Sequence, residues 1–184
     1  MTIRSLLQLI RIEHWVKNLF VLLPAFFAAR LDEGTLMQRA GLGFLAFSLF
    51  ASAVYVLNDL VDAPQDRHHP DKRFRPLASG VVRRPAAWML MGLLLTGGAA
   101  LAYWLTPALL LLCLMYVAIN VLYSFSLKHI ALVDISLIGM GFLLRVLAGG
   151  AVTGVAVSHW LIVMTFLLAL ILGLAKRRGE YIVA

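Results

Sequence analysis

Apolar blocks of near-bilayer length recur six times along this sequence, with short polar connections between them, and that leaves few folds open. The blocks run over about Trp15–Ala29, Ala40–Leu57, Pro85–Trp104, Pro107–Tyr123, Ile130–Ala151 and Val157–Ala175. Inside hydrocarbon every backbone N–H and C=O must find a partner within the protein, so a spanning segment is a helix or a strand of a closed barrel. Blocks of this length suit helices. Composition agrees: 62% of the 184 residues are hydrophobic and 14% charged, against roughly 45–50% and about 25% in soluble domains. The expected fold is an all-α membrane protein, a polytopic transmembrane helix bundle forming one domain over residues 1–184. The first block is short for a span. It borrows length from residues 2–14, where Ile3, Leu6, Leu7 and Ile10 have the spacing of a helix lying among lipid headgroups.

The formal charge of +7 does not indicate a nucleic-acid surface, because the basic residues sit in the connections. Sorted by the six-span layout, thirteen fall on the side of the N-terminus: Arg4, Arg11, Lys17, Arg67, Lys72, Arg73, Arg75, Arg83, Arg84, Lys128, Lys176, Arg177 and Arg178. Arg30 and Arg39 fall on the other side. Lys/Arg bias marks the cytoplasmic face, so the N-terminus and the connection after the second block are expected in the cytoplasm, at a bacterial-type inner membrane. The N-terminus lacks a small-residue cleavage site and reads as a retained segment. Cys113 is the one cysteine, set in an apolar block where a small buried hydrophobe is expected.

The chemistry concentrates in Asn58–Gly80, NDLVDAPQDRHHPDKRFRPLASG. Asp59, Asp62 and Asp66 stand at i, i+3 and i+7, on one face if the second helix continues past the bilayer, with Asn58 a turn before Asp62. Three carboxylates on one stripe repel unless a cation lies among them. Mg2+ takes oxygen ligands and is commonly shared between one or two carboxylates and substrate phosphates. The competing reading is a solvated polar helix end, and Pro64 within the stripe predicts a kink. Lys72, Arg73 and Arg75 follow, suited to phosphate oxygens or to topology and anionic lipid. His68 and His69 are expected exposed or touching phosphate.

Asp134 and Arg145 fall inside the fifth block, where charge is expensive and tends to mark function. Eleven residues put them about 16 Å apart along a helix, so they do not pair. Asp134 is placed to reach the polar site, and Arg145 to tie one helix to another. Asn120 is expected to hydrogen-bond between helices.

NDLVDAPQD fits the Asn-Asp-x-x-Asp-x-x-x-Asp signature of UbiA-type membrane prenyltransferases, and RPLASG resembles the segment that follows it in them. HPDKRFRPLASG is similar to the branch of decaprenyl-phosphate phosphoribosyltransferases, as are HWVKNLFVLLPAFFA, YSFSLKH at 123–129, GFLLRVLAGGAVTG at 141–154 and KRRGE at 176–180. The aromatic-acceptor members differ, with Arg-Thr before Arg-Pro and a Tyr-to-Lys spacing one shorter. The resemblance implies about nine spans, of which six are present, so the C-terminal third of the fold is expected to be missing.

It further implies a Mg2+-dependent transferase working at the cytoplasmic face. Asp59, Asp62 and Asp66 would hold the metal and the diphosphate of phosphoribosyl diphosphate, and a polyprenyl phosphate lying along the helices would be the acceptor. Asn58, Lys72, Arg73, Arg75 and Asp134 would bind substrate. Tyr123 and Lys128 would hold phosphate by resemblance, or else form an aromatic-belt tyrosine with an interfacial lysine. Lys176, Arg177 and Glu180 stand where the family has its second acidic motif, with a stop-transfer flank as the other reading. Two alternatives stay open: transfer of a prenyl group from prenyl diphosphate to an aromatic or other acceptor, and a non-catalytic membrane binding or assembly protein.

Overall fold

The computed structural model describes the backbone of residues 3–124 and 131–183, and the side chains of residues 3–124 and 136–175. In chain order the elements are α1 (Ile3–Ile10), a 3-10 helix (Ile12–Leu22), α2 (Leu23–Phe27), α3 (Gly34–Asp66), one 3-10 turn (Lys72–Phe74), α4 (Arg84–Leu105), α5 (Pro107–Leu122), α6 (Ala131–Thr153) and α7 (His159–Val183). There is no strand among the described residues. By length and composition α3, α4 and the stretch Ser136–Thr153 of α6 are long and apolar enough to cross a membrane; α5 (Pro107–Leu122) and the stretch His159–Ala175 of α7 are shorter and apolar.

Helix α3 is the axis of the bundle, packed against the N-terminal segment, α4, α5 and α6. Its most apolar window is 61% buried, against 17% for α4, as expected of a helix that is apolar on all sides. Phe47, Phe50 and Val54 of α3 meet Leu109, Cys113 and Tyr116 of α5 and Leu144, Ala148 and Val152 of α6 in the main core. Trp88, Met89, Leu93, Tyr103 and Trp104 of α4 face outward. Sequence chemistry sets the helix ends: Pro85 and Pro107 lie in the first turns of α4 and α5, where a missing N–H costs nothing. Extended Thr106 separates the two helices.

The expected first span is not one α-helix. Arg11 adopts a left-handed conformation (φ 51°), and the chain then winds as a 3-10 helix from Ile12 to Leu22. A 3-10 helix rises about 2.0 Å per residue and stacks positions i and i+3, which places Trp15, Asn18 and Val21 in one row. An α-helix rises about 1.5 Å per residue, so four of its residues cover the same ~6 Å as three of these. Trp15 Nε1 accordingly donates to Ser52 Oγ at 3.0 Å and Asn18 Nδ2 to Ser48 Oγ at 2.9 Å. The two helices are joined rung for rung. Ser52 Oγ also donates to the Ile10 carbonyl at 2.8 Å, and Gly149 of α6 lets the Val21 carbonyl come close.

Two arginines tie helices together. Arg145, 5% exposed, donates from Nε to Asn18 Oδ1 (2.8 Å), from Nη1 to the Gly141 carbonyl (2.7 Å) and from Nη2 to Tyr116 Oη (3.3 Å). It also lies over the rings of Phe47 and Tyr116, each at 5.0 Å. Arg39 bonds the Val152 and Leu105 carbonyls at 2.8 and 3.1 Å, joining the start of α3 to the ends of α6 and α4. Asn120 departs from expectation: its Nδ2 donates to the Tyr116 carbonyl one turn back in its own helix. That acceptor is always within reach, whereas a partner on another helix depends on packing.

A Cβ at position 149 would meet the Val21 carbonyl and Pro24. Gly149→Ala should therefore lower the melting temperature of the detergent-solubilised protein, by a loss of about 1–3 kcal/mol. Gly41→Ala, whose added carbon would meet no atom within 4 Å beyond its own helix and chain neighbours, is the control and should not lower it, since alanine favours the helix.

Candidate functional site

Helix α3 continues through Asn58 to Asp66, so the i, i+3, i+7 spacing becomes a face. Pro64 does not end it, because it lies in the last turn. Its missing N–H leaves the Leu60 carbonyl without its helical partner, and Arg84 Nη2 lies 3.5 Å from that oxygen. Asp59 and Asp66 are 3% and 5% exposed. Asp62 is half-buried on the neighbouring row.

Carboxylates this buried need cations. Arg75 Nη1 lies 2.7 Å from Asp66 Oδ2 and 3.5 Å from Asp59 Oδ1, one nitrogen serving both aspartates. From the N-terminal segment, Arg11 Nη2 lies 2.5 Å from Asp59 Oδ1. Its guanidinium is 5.0 Å from the centre of the Tyr55 ring, and His14 meets the same ring edge-on at 5.2 Å.

A second, smaller core delivers both arginines. Leu77 and Val82 of the connection pack with Leu9 of α1, Val56, Leu60 and Ala63 of α3, and Ala87 of α4. The connection is thus seated on apolar contacts two residues after Arg75, and α1 is seated two residues before Arg11. Hydrogen bonds complete the turn: His69 Nδ1 accepts the Asp71 and Lys72 N–H groups (3.2 and 3.3 Å), Ser79 Oγ donates to the Arg75 carbonyl (2.8 Å), and Val82 N–H to the Pro76 carbonyl (2.9 Å). Gly80, at φ 78°, takes the left-handed turn that glycine tolerates.

Above the cluster lies a cleft of about 440 Å³, whose walls include Gln8, Arg11, Glu13, Asp59, Asp71 and Arg75. Lys72 and Arg73 are exposed on the 3-10 turn, with the Arg73 guanidinium 4.8 Å from the Phe74 ring centre. Asn58 faces the end of α5, where Ser124 Oγ donates to its Oδ1 at 2.6 Å; half-buried Tyr123 adjoins it. His68 and His69 hold the turn, His68 Nδ1 lying 3.1 Å from the Pro64 carbonyl. Lys128 lies outside the described residues, as do the side chains of Asp134, Lys176, Arg177 and Glu180.

The donor chemistry around Asp59 and Asp66 fits a hard divalent cation: oxygen ligands, buried and held together against their own repulsion. Among the described residues no three His, Cys, Asp or Glu side chains form a closed metal cage. A magnesium ion that completes its shell with water and ligand phosphates needs only one or two protein carboxylates.

The profile of the UbiA prenyltransferase family matches residues 18–178. The chain belongs to that family. It is 35% identical over 182 residues to the decaprenyl-phosphate phosphoribosyltransferase of Mycolicibacterium smegmatis, covering 97% of this chain and 57% of that protein. For the Mycobacterium tuberculosis protein of the same description the identity is 37%, over 97% and 60%. The chain therefore spans less than two thirds of the length of these relatives. Its fold is also that of a solved UbiA homologue from Archaeoglobus fulgidus, bound to GPP and Mg2+, with a TM-score of 0.81 and 23% identity over 96% of this chain and 64% of that one. This UbiA-family chain is a partial UbiA-type bundle and an integral membrane protein.

Arg11 is the site residue that sequence reasoning missed. It counts there only as one of thirteen positive charges on its side, and its partner Asp59 stands 48 residues away. The signal available was its place two residues after Leu9, on an amphipathic segment turned toward the same face.

Arg75→Ala would leave two buried carboxylates facing each other. It should destabilise the solubilised protein by roughly 1–3 kcal/mol and speed proteolysis of the 67–83 connection. Adding Asp66→Asn should recover part of that loss, a coupling readable in a double-mutant cycle of melting temperatures.

Proposed function

We propose that this chain carries the donor site of a membrane transferase that moves a phosphoribosyl group from phosphoribosyl diphosphate to a polyprenyl phosphate, with Mg2+, at the cytoplasmic face of a bacterial-type inner membrane. The observation that carries the reading is the pairing of Asp59 and Asp66 through Arg75 at the end of α3. The likeness over 97% of the chain to decaprenyl-phosphate phosphoribosyltransferases supports the choice of substrates. The thirteen-to-two sorting of Lys and Arg supports the orientation.

In the proposed reaction an oxygen of the acceptor phosphate forms a bond to C1 of the ribose as the bond from C1 to the diphosphate oxygen breaks, and pyrophosphate leaves with the electron pair. Asp59 and Asp66 would hold the metal, with Asn58 and Asp62 on the neighbouring rows of α3, and the metal would neutralise the leaving group's charge. Arg75 and Arg11 orient the carboxylates and add positive charge where pyrophosphate charge develops. Lys72 and Arg73, exposed between Asp71 and Phe74 of the cleft wall, would meet the donor's remaining phosphate. The acceptor is already an anion, so no side chain has to take its proton.

A second reading has one observation in its favour: the solved relative of the same fold was bound to GPP and Mg2+. In that case a prenyl diphosphate is the donor. The two are separated by supplying membranes that contain the chain with Mg2+, polyprenyl phosphate and labelled phosphoribosyl diphosphate, beside the full-length Mycolicibacterium smegmatis relative. Label is expected in the lipid fraction, reduced about a hundredfold or more by Asp59→Asn and abolished by chelation. Transfer of label from a labelled prenyl diphosphate onto an added acceptor with release of pyrophosphate, and none from phosphoribosyl diphosphate, selects the second reading. Ligand binding without turnover by either donor selects a non-catalytic binding protein.

A further inference from the structure

Arg11 occupies the position where the charge balance of the site has to change. Its Nη2 engages Asp59 Oδ1 at 2.5 Å, the oxygen that a divalent cation beside Asp59 would compete for. Arg75 is held chiefly by Asp66, at 2.7 Å against 3.5 Å to Asp59. Among the described residues the carboxylate paired with Arg11 is Asp59. A guanidinium and a divalent cation repel, so full contact of both with one oxygen is unfavourable.

Arg11 also has somewhere to go. Its side chain is 20% exposed and forms part of the wall of the 440 Å³ cleft, so the guanidinium borders open space into which it can turn, giving up its place over the Tyr55 ring. It belongs to the segment before residue 18, outside the region matched by the family profile. Residue 11 is held in place on both sides, by Leu9 in the small core and by Trp15 on Ser52.

Building on the transferase reading, we infer that Arg11 is an exchanging arginine: it neutralises Asp59 while no ligand is bound, and passes to the diphosphate oxygens when a divalent cation takes Asp59. No covalent bond changes. One ion pair is replaced by two, cation with carboxylate and guanidinium with diphosphate. The planar fork of arginine suits both partners in turn.

The test uses the solubilised full chain, with Mn2+ as a spectroscopic probe of the cation site and inorganic pyrophosphate as the anion. In Arg11→Gln, Mn2+ alone should bind about threefold or more tightly, because its competitor is gone, while pyrophosphate in the presence of Mg2+ should bind about tenfold more weakly. Arg11→Lys keeps the charge without the fork, and should leave Mn2+ binding near wild type with intermediate pyrophosphate affinity. The opposite signs are the signature. Weakening of both ligands together, or loss of pyrophosphate affinity with Mn2+ unchanged, overturns the exchange. Should Arg11→Gln fail to fold, unchanged pyrophosphate affinity in Arg11→Lys also overturns it. A wild-type chain that binds no pyrophosphate in Mg2+ overturns the transferase reading and the exchange with it; binding without the opposed shifts overturns the exchange alone.

Discussion

Two aspartates seven residues apart on one helix, almost fully withdrawn from water, are intolerable to each other and to the bilayer edge unless positive charge is brought to them. That electrostatic requirement organises the polar end of this molecule. Arg75 is inserted between Asp59 and Asp66, and Arg11 closes on Asp59 from the other side. Two carboxylates and two guanidiniums give a cluster of no net charge, held against a small apolar core that seats the segments carrying both arginines. Ion pairs of this kind contribute little net stability, since desolvation offsets most of their attraction. Their value here is positional.

The apolar contacts and the polar ones divide the work. The main core around α3 fixes the helices, and the smaller core fixes the connection and α1. Directional bonds then set register where hydrocarbon packing alone would allow sliding. Arg145 joins α6 to Asn18 and Tyr116, Arg39 joins the far ends of three helices, and Ser124 holds Asn58 at the end of α5. Guanidinium groups in such settings satisfy carbonyls and amide oxygens that have no water to turn to.

Much of this was legible in the chain itself. The third block, read as Pro85–Trp104, is the helix Arg84–Leu105, because a proline start and a Thr-Pro stop are local instructions. The acid stripe was visible from its spacing, since α3 needs only to remain helical to make it a face. The 3-10 winding of residues 12–22 was not, because hydropathy records which residues avoid water and not the rise per residue. Nor was the role of Arg11. Arginines near a membrane surface look alike in sequence, and only the left-handed turn at this residue aims its side chain back at α3. Asn120 went the other way, choosing a carbonyl of its own helix.

The matched rungs between the N-terminal segment and α3 make residues 11–21 a molecular ruler. Bonds at Trp15 and Asn18 fix its far end, and every residue between them and Arg11 translates into about 2 Å of reach. An insertion or deletion there leaves hydropathy and charge count untouched, yet slides the guanidinium off its carboxylate. Spacing in this stretch is therefore under physical constraint as well as side-chain identity, because Arg11, Trp15 and Asn18 must all meet α3 in step.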